Sequence, residues 1–134
     1  MNRHSKKGLR IAAVFAAFLS LFLLWYYFTP GPVRLDVGFG DFSLSETGDV
    51  MYIRAGIWSS AGYLKTVDVE EDGENLYLSF RGTHGLNNSF GARYVFPIEL
   101  PDTCRAIWFH TGKDRYDQVL EKDDGGTWVR TQPK

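Results

Sequence analysis

Apolar and polar residues follow two different patterns along this chain. Residues 11–28 form an unbroken apolar run with no charge and no proline, whereas apolar and polar residues alternate in short stretches after residue 32. At about 1.5 Å per residue, a helix over this run spans about 27 Å, close to the roughly 30 Å hydrocarbon core of a bilayer. The pattern therefore predicts one N-terminal transmembrane helix followed by a β-rich domain.

The residues that flank the apolar run predict its orientation. Four of the fifteen Lys and Arg lie within residues 1–10, and Trp25 lies near the other end of the run. Basic residues favour the cytoplasmic side of a membrane, and aromatic rings favour the headgroup region. We expect a single-pass protein of the cell membrane with a basic cytoplasmic tail (1–10), a signal-anchor helix (11–28), a Pro/Gly spacer (29–32) and an extracytoplasmic domain (33–134).

A cleaved secretory signal is the alternative interpretation of the same segment. The apolar region of such a signal usually has about 7 to 15 residues and precedes an A-x-A-like cleavage site. Here the run is longer, and the small residues Thr29 and Gly31 that follow it would place Pro32 directly after the cut. Both differences favour a retained anchor.

Period-two alternation after residue 32 predicts strands with one buried face. In the first strand, Val33, Leu35 and Val37 are expected to face the core and Arg34 to face solvent. Asp-Gly at 72–73 and Asp-Asp-Gly-Gly at 123–126 predict hairpin turns. The predicted strands are 33–39, 50–57, 63–70, 76–80, 93–98, 105–110, 118–121 and 127–130. Seven or eight short strands without helical periodicity predict an all-β fold, an antiparallel β-sandwich of immunoglobulin-like or similar type.

The net charge of −1 for the whole chain conceals an acidic domain. Once the four cations of the tail are set aside, residues 11–134 hold 11 basic and 16 acidic residues, a net charge of −5. A domain of this sign lacks the basic surface that nucleic-acid phosphates require. Nucleic-acid binding is therefore not expected.

Cys104 is the only cysteine, so it cannot close an intramolecular disulfide. It borders the apolar run 106–109, and free cysteines usually behave as small buried hydrophobes. We expect a buried thiol and a domain that is held together by its core.

No metal or cofactor site is predicted. The carboxylates within 68–72 resemble the start of a calcium loop, but Ser79 stands where that loop needs a closing glutamate. His110, Asp114 and Asp117 match no ligand spacing and are expected in a solvated loop.

The candidate binding residues are outward-facing rings on strands and polar side chains in one loop. If Ile107 faces the core, strand alternation turns Trp108 and His110 outward. Flat rings stack on sugars or anchor protein partners, and loops on a rigid scaffold often bind ligands. The candidates are the outward residues Tyr52, Tyr77, Trp108 and His110 and the loop residues His84, Asn87 and Asn88.

These features favour recognition over chemistry. No G-x-S-x-G elbow or other catalytic motif occurs, so no enzyme is predicted. We expect a membrane-anchored binding or accessory module for another envelope or membrane protein. The alternatives are a cell-surface glycan-binding domain that uses the outward rings, and a small hydrolase built on the loop 82–91. Residues 87–89 also form an N-glycosylation sequon.

Overall fold

The structure, a computed structural model, describes residues 3–28, 31–58, 62–83 and 92–131, which form one helix and nine strands. The elements are α1 (Arg3–Phe28), β1 (Val33–Arg34), β2 (Val37–Leu44), β3 (Val50–Ile57), β4 (Leu64–Asp72), β5 (Asn75–Gly82), β6 (Val95–Glu99), β7 (Ala106–Gly112), β8 (Arg115–Lys122) and β9 (Trp128–Arg130). The predicted β-rich chain behind one N-terminal apolar helix is confirmed. The predicted loop candidates His84, Asn87 and Asn88 lie outside the described residues.

The helix α1 carries no charged side chain after Arg10. Its segment Lys6–Trp25 has a mean hydropathy of 2.0, and none of it is buried. A helix without a polar face is suited to lipid, and its length is sufficient to cross a bilayer. By length and composition, α1 is able to span a membrane.

Six strands form one sheet in which β5 is the central element. β4 pairs with one edge of β5 along its whole length. Two strands share the other edge of β5: β7 pairs with residues 75–78, and β1 pairs with Phe80 and Arg81. The sheet continues from β7 to β8 and β9. The chain thus places strands that are distant in sequence next to one another.

The prediction of an entirely antiparallel fold is wrong at one position, because β5 and β7 are parallel. After β5 the chain crosses to the second sheet and forms β6, which runs in the direction opposite to β5. The chain thereby returns to the end of the first sheet where β5 begins, and β7 starts there. The backbone N–H of Arg105 donates to the carbonyl oxygen of Glu74 at 2.8 Å and fixes that return. The two strands therefore begin at the same end and run in the same direction.

The second sheet has three antiparallel strands in the order β2-β3-β6. Rings from the two sheets meet in a common core: Phe39 of β2 lies edge-on to Phe109 of β7 at 5.9 Å, and Phe80 of β5 lies edge-on to Phe96 of β6 at 5.1 Å. Phe80 and Phe109 also touch, at 4.8 Å between centroids. These four rings pack the two sheets face to face.

Both predicted hairpins are confirmed. The β4–β5 turn has Gly73 at φ 60°, and the β8–β9 turn has Gly126 at φ 82°, a region where glycine is not strained. A third hairpin joins β7 to β8 through Lys113 and Asp114, where Asp114 has φ 58°. The expectation that His110, Asp114 and Asp117 lie in a solvated loop is therefore wrong for His110, which belongs to β7, and for Asp117, which belongs to β8.

The predicted first strand, 33–39, is divided between the two sheets. β1 pairs with β5 and β2 pairs with β3, so the chain changes sheets at Leu35 and Asp36. As a result Arg34 is buried at 1% exposure and Leu35 is 40% exposed, the reverse of the prediction.

Hydrogen bonds explain how the core accepts a guanidinium group. Nε and Nη2 of Arg34 donate to the two carboxylate oxygens of Asp36 at 2.9 and 2.6 Å, and Nη1 donates to the carbonyl oxygen of Thr83. The carboxylate of Asp36 therefore neutralises the guanidinium charge of Arg34, which is buried away from water.

Cys104 is buried, as expected. Burial raises the pKa of its thiol, because a thiolate is disfavoured away from water.

Candidate functional site

The outer face of the six-stranded sheet carries a continuous row of rings. Along β5, Leu76, Leu78 and Phe80 point into the core, so Tyr77 and Ser79 point outward. The parallel register places Tyr77 beside Trp108, and the β7–β8 register places His110 beside Tyr116. We call Trp108, Tyr77, Tyr116 and His110 the aromatic strip.

The rings of the aromatic strip contact one another in sequence. Tyr77 stacks on Trp108 at 6.2 Å and meets Tyr116 edge-on at 5.0 Å, and Tyr116 stacks on His110 at 4.6 Å. All four side chains are half-buried. Each ring therefore presents one exposed side on a surface that is already packed.

Hydrogen bonds fix the two ends of the strip. Nε1 of Trp108 donates to Oδ1 of Asn75 at 2.9 Å, and Nδ1 of His110 lies 3.2 Å from Oγ of Ser79. Because the rings are held on paired strands, little conformational entropy remains to be lost when a ligand binds.

A row of carboxylates borders the strip on the β4 side. Register places Asp72 beside Asn75, Glu70 beside Tyr77 and Asp68 beside Ser79. Asp68 is paired with Arg81 at 2.6 Å. The face therefore combines π surfaces with negative charge, which suits a guanidinium, an ammonium or a hydroxyl-rich ligand. The same carboxylates are extended along a strand and do not surround a point, unlike the ligands of a calcium loop.

The structure brings together three of the four predicted outward residues. Tyr77, Trp108 and His110 share the aromatic strip, but Tyr52 belongs to β3 in the other sheet and faces the opposite side of the domain. Grouping Tyr52 with the other three was wrong, because alternation gives the face of a strand and not the sheet that contains it. Sequence reasoning did not identify Tyr116. The signal for it was the turn at Lys113 and Asp114, which pairs Tyr116 with His110 across β7 and β8.

A second surface lies on the outer face of the three-stranded sheet. Gly38 and Gly56 are directly opposite each other in the β2–β3 register and leave the backbone uncovered. With Gly40 they form the floor of a cleft of about 370 Å³ whose walls include Trp58 and Tyr94. We call it the glycine-floored cleft.

The indole of Trp58 lies directly over Gly38. A Cβ atom at Gly38 would come within 2.7 Å of the ring. Trp58 is nevertheless 80% exposed and Tyr94 is 63% exposed, which is unusual for such large rings. Sequence reasoning missed this surface, although glycines at the alternating positions 38 and 40 were its signal.

The edges of the three-stranded sheet are poorly suited to pairing with an additional strand. Pro97 lies in the middle of the edge strand β6 and has no N–H to donate. On β2 the guanidinium of Arg130 donates to the carbonyl oxygens of Phe39 and Gly40 at 2.9 and 2.8 Å. The faces of the sheets are therefore better candidates for recognition than these edges.

The described side chains that were considered for metal binding or catalysis make the following contacts. Within the described ranges no three His, Cys, Asp or Glu side chains are grouped closely enough to hold a metal ion. Asp117 accepts from Oγ1 of Thr111 at 2.9 Å. Ser79 and His110 touch as a nucleophile and base would, but they lie on a flat sheet face whose backbone N–H groups point along the sheet towards neighbouring strands.

No family model matches this chain, and no curated protein or solved structure is similar to it.

Proposed function

We propose that this chain is a single-pass membrane protein that displays a β-sandwich on the extracytoplasmic side and binds another membrane or envelope protein through the aromatic strip. The anchor is supported by the apolar segment Lys6–Trp25 and by the four cations in residues 1–10, which favour a cytoplasmic N-terminus. The sandwich, immunoglobulin-like or similar in kind, is supported by two sheets that share one core.

The aromatic strip is the observation that carries the proposal. Trp and Tyr side chains dominate the binding energy of protein interfaces because they bury large areas at a low entropic cost. Here Tyr77, Trp108 and Tyr116 are already in mutual contact on rigid strands. The adjacent carboxylates of β4 favour a partner that presents Arg or Lys, whose guanidinium or ammonium group would lie over the rings.

Co-purification of the full-length protein from its native membrane tests this proposal. The double variant Tyr77→Ala, Trp108→Ala removes the centre of the strip, and Tyr52→Ala on the other sheet is the matched control. A stoichiometric partner that is retained by wild type and the control and lost from the double variant is the expected result. No specific partner, or equal recovery from all three proteins at similar melting temperatures, would contradict it.

A cell-surface glycan is the second candidate ligand for the same strip. The exposed side of Trp108 is flanked by the amide side chains of Asn75 and, on β8, Gln118. Stacking rings with adjacent hydrogen-bonding groups are suited to a sugar ring. Binding on a glycan array that Trp108→Ala abolishes and Tyr52→Ala preserves would favour the glycan over a protein partner.

A further inference from the structure

The two ends of the β-domain are defined by its hydrogen bonds. Next to α1, the N–H of Gly82 donates to Pro32, the N–H of Thr83 to Tyr63 and the N–H of Arg93 to Leu64, at 3.1, 2.9 and 2.9 Å. We call this the near end. Its described residues are 35–36, 58, 62–63, 83, 92–94 and 113–114. The connections 45–49, 73–74, 100–105 and 123–127 form the far end.

The near end is tied closely to the membrane anchor. α1 ends at Phe28, and Gly31 is already joined to the domain, because its carbonyl oxygen accepts from Arg81 at 3.4 Å. Three Cα–Cα steps span at most about 11 Å when fully extended. If α1 crosses the bilayer, the near end cannot move farther from the headgroups than this tether allows.

Exposed aromatic residues and positive charge are both found at this end. Trp58 follows β3 and Tyr94 precedes β6, and both rings are among the most exposed aromatic side chains of the domain. Arg93 is exposed beside Tyr94. Amphipathic rings and cations are the side chains that membrane–water interfaces favour.

The connections at the two ends of the domain differ in net charge. At the far end they include six Asp or Glu and one Arg, Arg105. At the near end they include two cations, Arg93 and Lys113, and two carboxylates, Asp114 and Asp36, of which Asp36 is paired with Arg34. An anionic surface therefore repels the far end more strongly than the near end.

We infer that the near end of the β-domain is seated on the bilayer surface, with Trp58 and Tyr94 in the headgroup region, Arg93 beside lipid phosphate, and the acidic far end pointing away. This inference depends on the proposed anchor. The exposed rings of the glycine-floored cleft are then explained by a lipid surface that covers them. The aromatic strip remains open on the side of the domain.

Depth-dependent quenching of full-length protein in nanodiscs tests the inference. A fluorophore on Tyr94→Cys reports the near end, and a fluorophore on Thr103→Cys reports the far end. The native Cys104 is buried and is therefore shielded from labelling. With headgroup spin-labelled lipid and anionic lipid present, strong quenching at position 94 and little at 103 is expected. Equal quenching at both positions would overturn the inference.

A charge-reversal pair adds a second, independent measurement. Arg93→Glu in the Tyr94→Cys background should reduce the seated population by about fivefold or more, given the usual attraction of a cation to an anionic membrane, and Arg105→Glu should leave it unchanged. Equal effects of the two variants, or no dependence on anionic lipid, would overturn the inference. A chain that fails to co-float with the lipid would instead refute the anchor itself.

Discussion

Replacing Asp36 with Asn removes the charge that neutralises a buried guanidinium. Arg34 is 1% exposed, and both of its bonds to the carboxylate are 2.9 Å or shorter. Removing one partner of a fully buried ion pair costs about 3 to 5 kcal/mol. Because the Asp36 side chain is 34% exposed, water compensates in part, and we expect a loss of about 2 to 4 kcal/mol in the free energy of unfolding.

The exposed pair between Asp68 and Arg81 is the matched control. Its Nε–Oδ2 distance is also 2.6 Å, but both side chains are more than one third exposed. Asp68→Asn should therefore cost about 1 kcal/mol or less. The two pairs share the substitution and the shortest N–O distance, and they differ in burial and in the number of bonds, two to Asp36 and one to Asp68.

Thermal melts of the full-length protein, followed by the fluorescence of the domain's tryptophans, measure both variants. At about 4 to 8 °C per kcal/mol for a domain of this size, Asp36→Asn should lower Tm by roughly 8 to 32 °C and Asp68→Asn by less than about 8 °C. Equal shifts for the two variants would refute the argument that Arg34 depends on its partner because it is buried.

Three further predictions concern the cleft, the thiol and one surface carboxylate. Gly38→Ala should displace the Trp58 ring and shift its fluorescence, whereas Gly56→Ala, whose new Cβ meets no atom within 4 Å, should leave that emission unchanged. Cys104 should react with iodoacetamide at pH 8 only after denaturation, since burial raises the pKa of its thiol; rapid alkylation of the native protein would contradict this. Hydrogen bonds from Thr47 and Ser45 lower the pKa of Asp49 below its ordinary value of 3.8, so its stabilising contribution is complete above that pH and is lost as the pH falls through the folded-state pKa. The Tm of Asp49→Asn should therefore decrease less below pH 4 than the Tm of wild type. The same dependence of Tm on pH in both proteins would contradict the prediction.

Local signals in the sequence predicted the helix and two of the hairpins. A long apolar run without proline predicts a helix, and Asp-Gly turns act over a few residues. Alternation also placed Leu76, Leu78 and Phe80 correctly in the core. These features depend on neighbours in the chain, which the sequence displays directly.

The errors arose where distant segments decide the outcome. Alternation over 33–39 could not reveal a change of sheet at Leu35, which buries Arg34 against Asp36 and the Thr83 carbonyl. Nor could it reveal that β3 belongs to a different sheet from β5 and β7, which separates Tyr52 from the aromatic strip. Parallel pairing of β5 with β7, strands joined through the opposite sheet, created the contact between Tyr77 and Trp108.

Site-specific photo-crosslinking in the native membrane tests the central claim most directly. A photo-reactive residue at Gln118, which the register places beside Trp108, reports the aromatic strip, and one at Tyr52 reports the opposite face. We expect one adduct of defined mass from position 118, lost when Tyr77→Ala and Trp108→Ala are added, and none of that mass from position 52. The absence of an adduct at 118, or the same adduct from both faces, would contradict a protein partner bound at the aromatic strip.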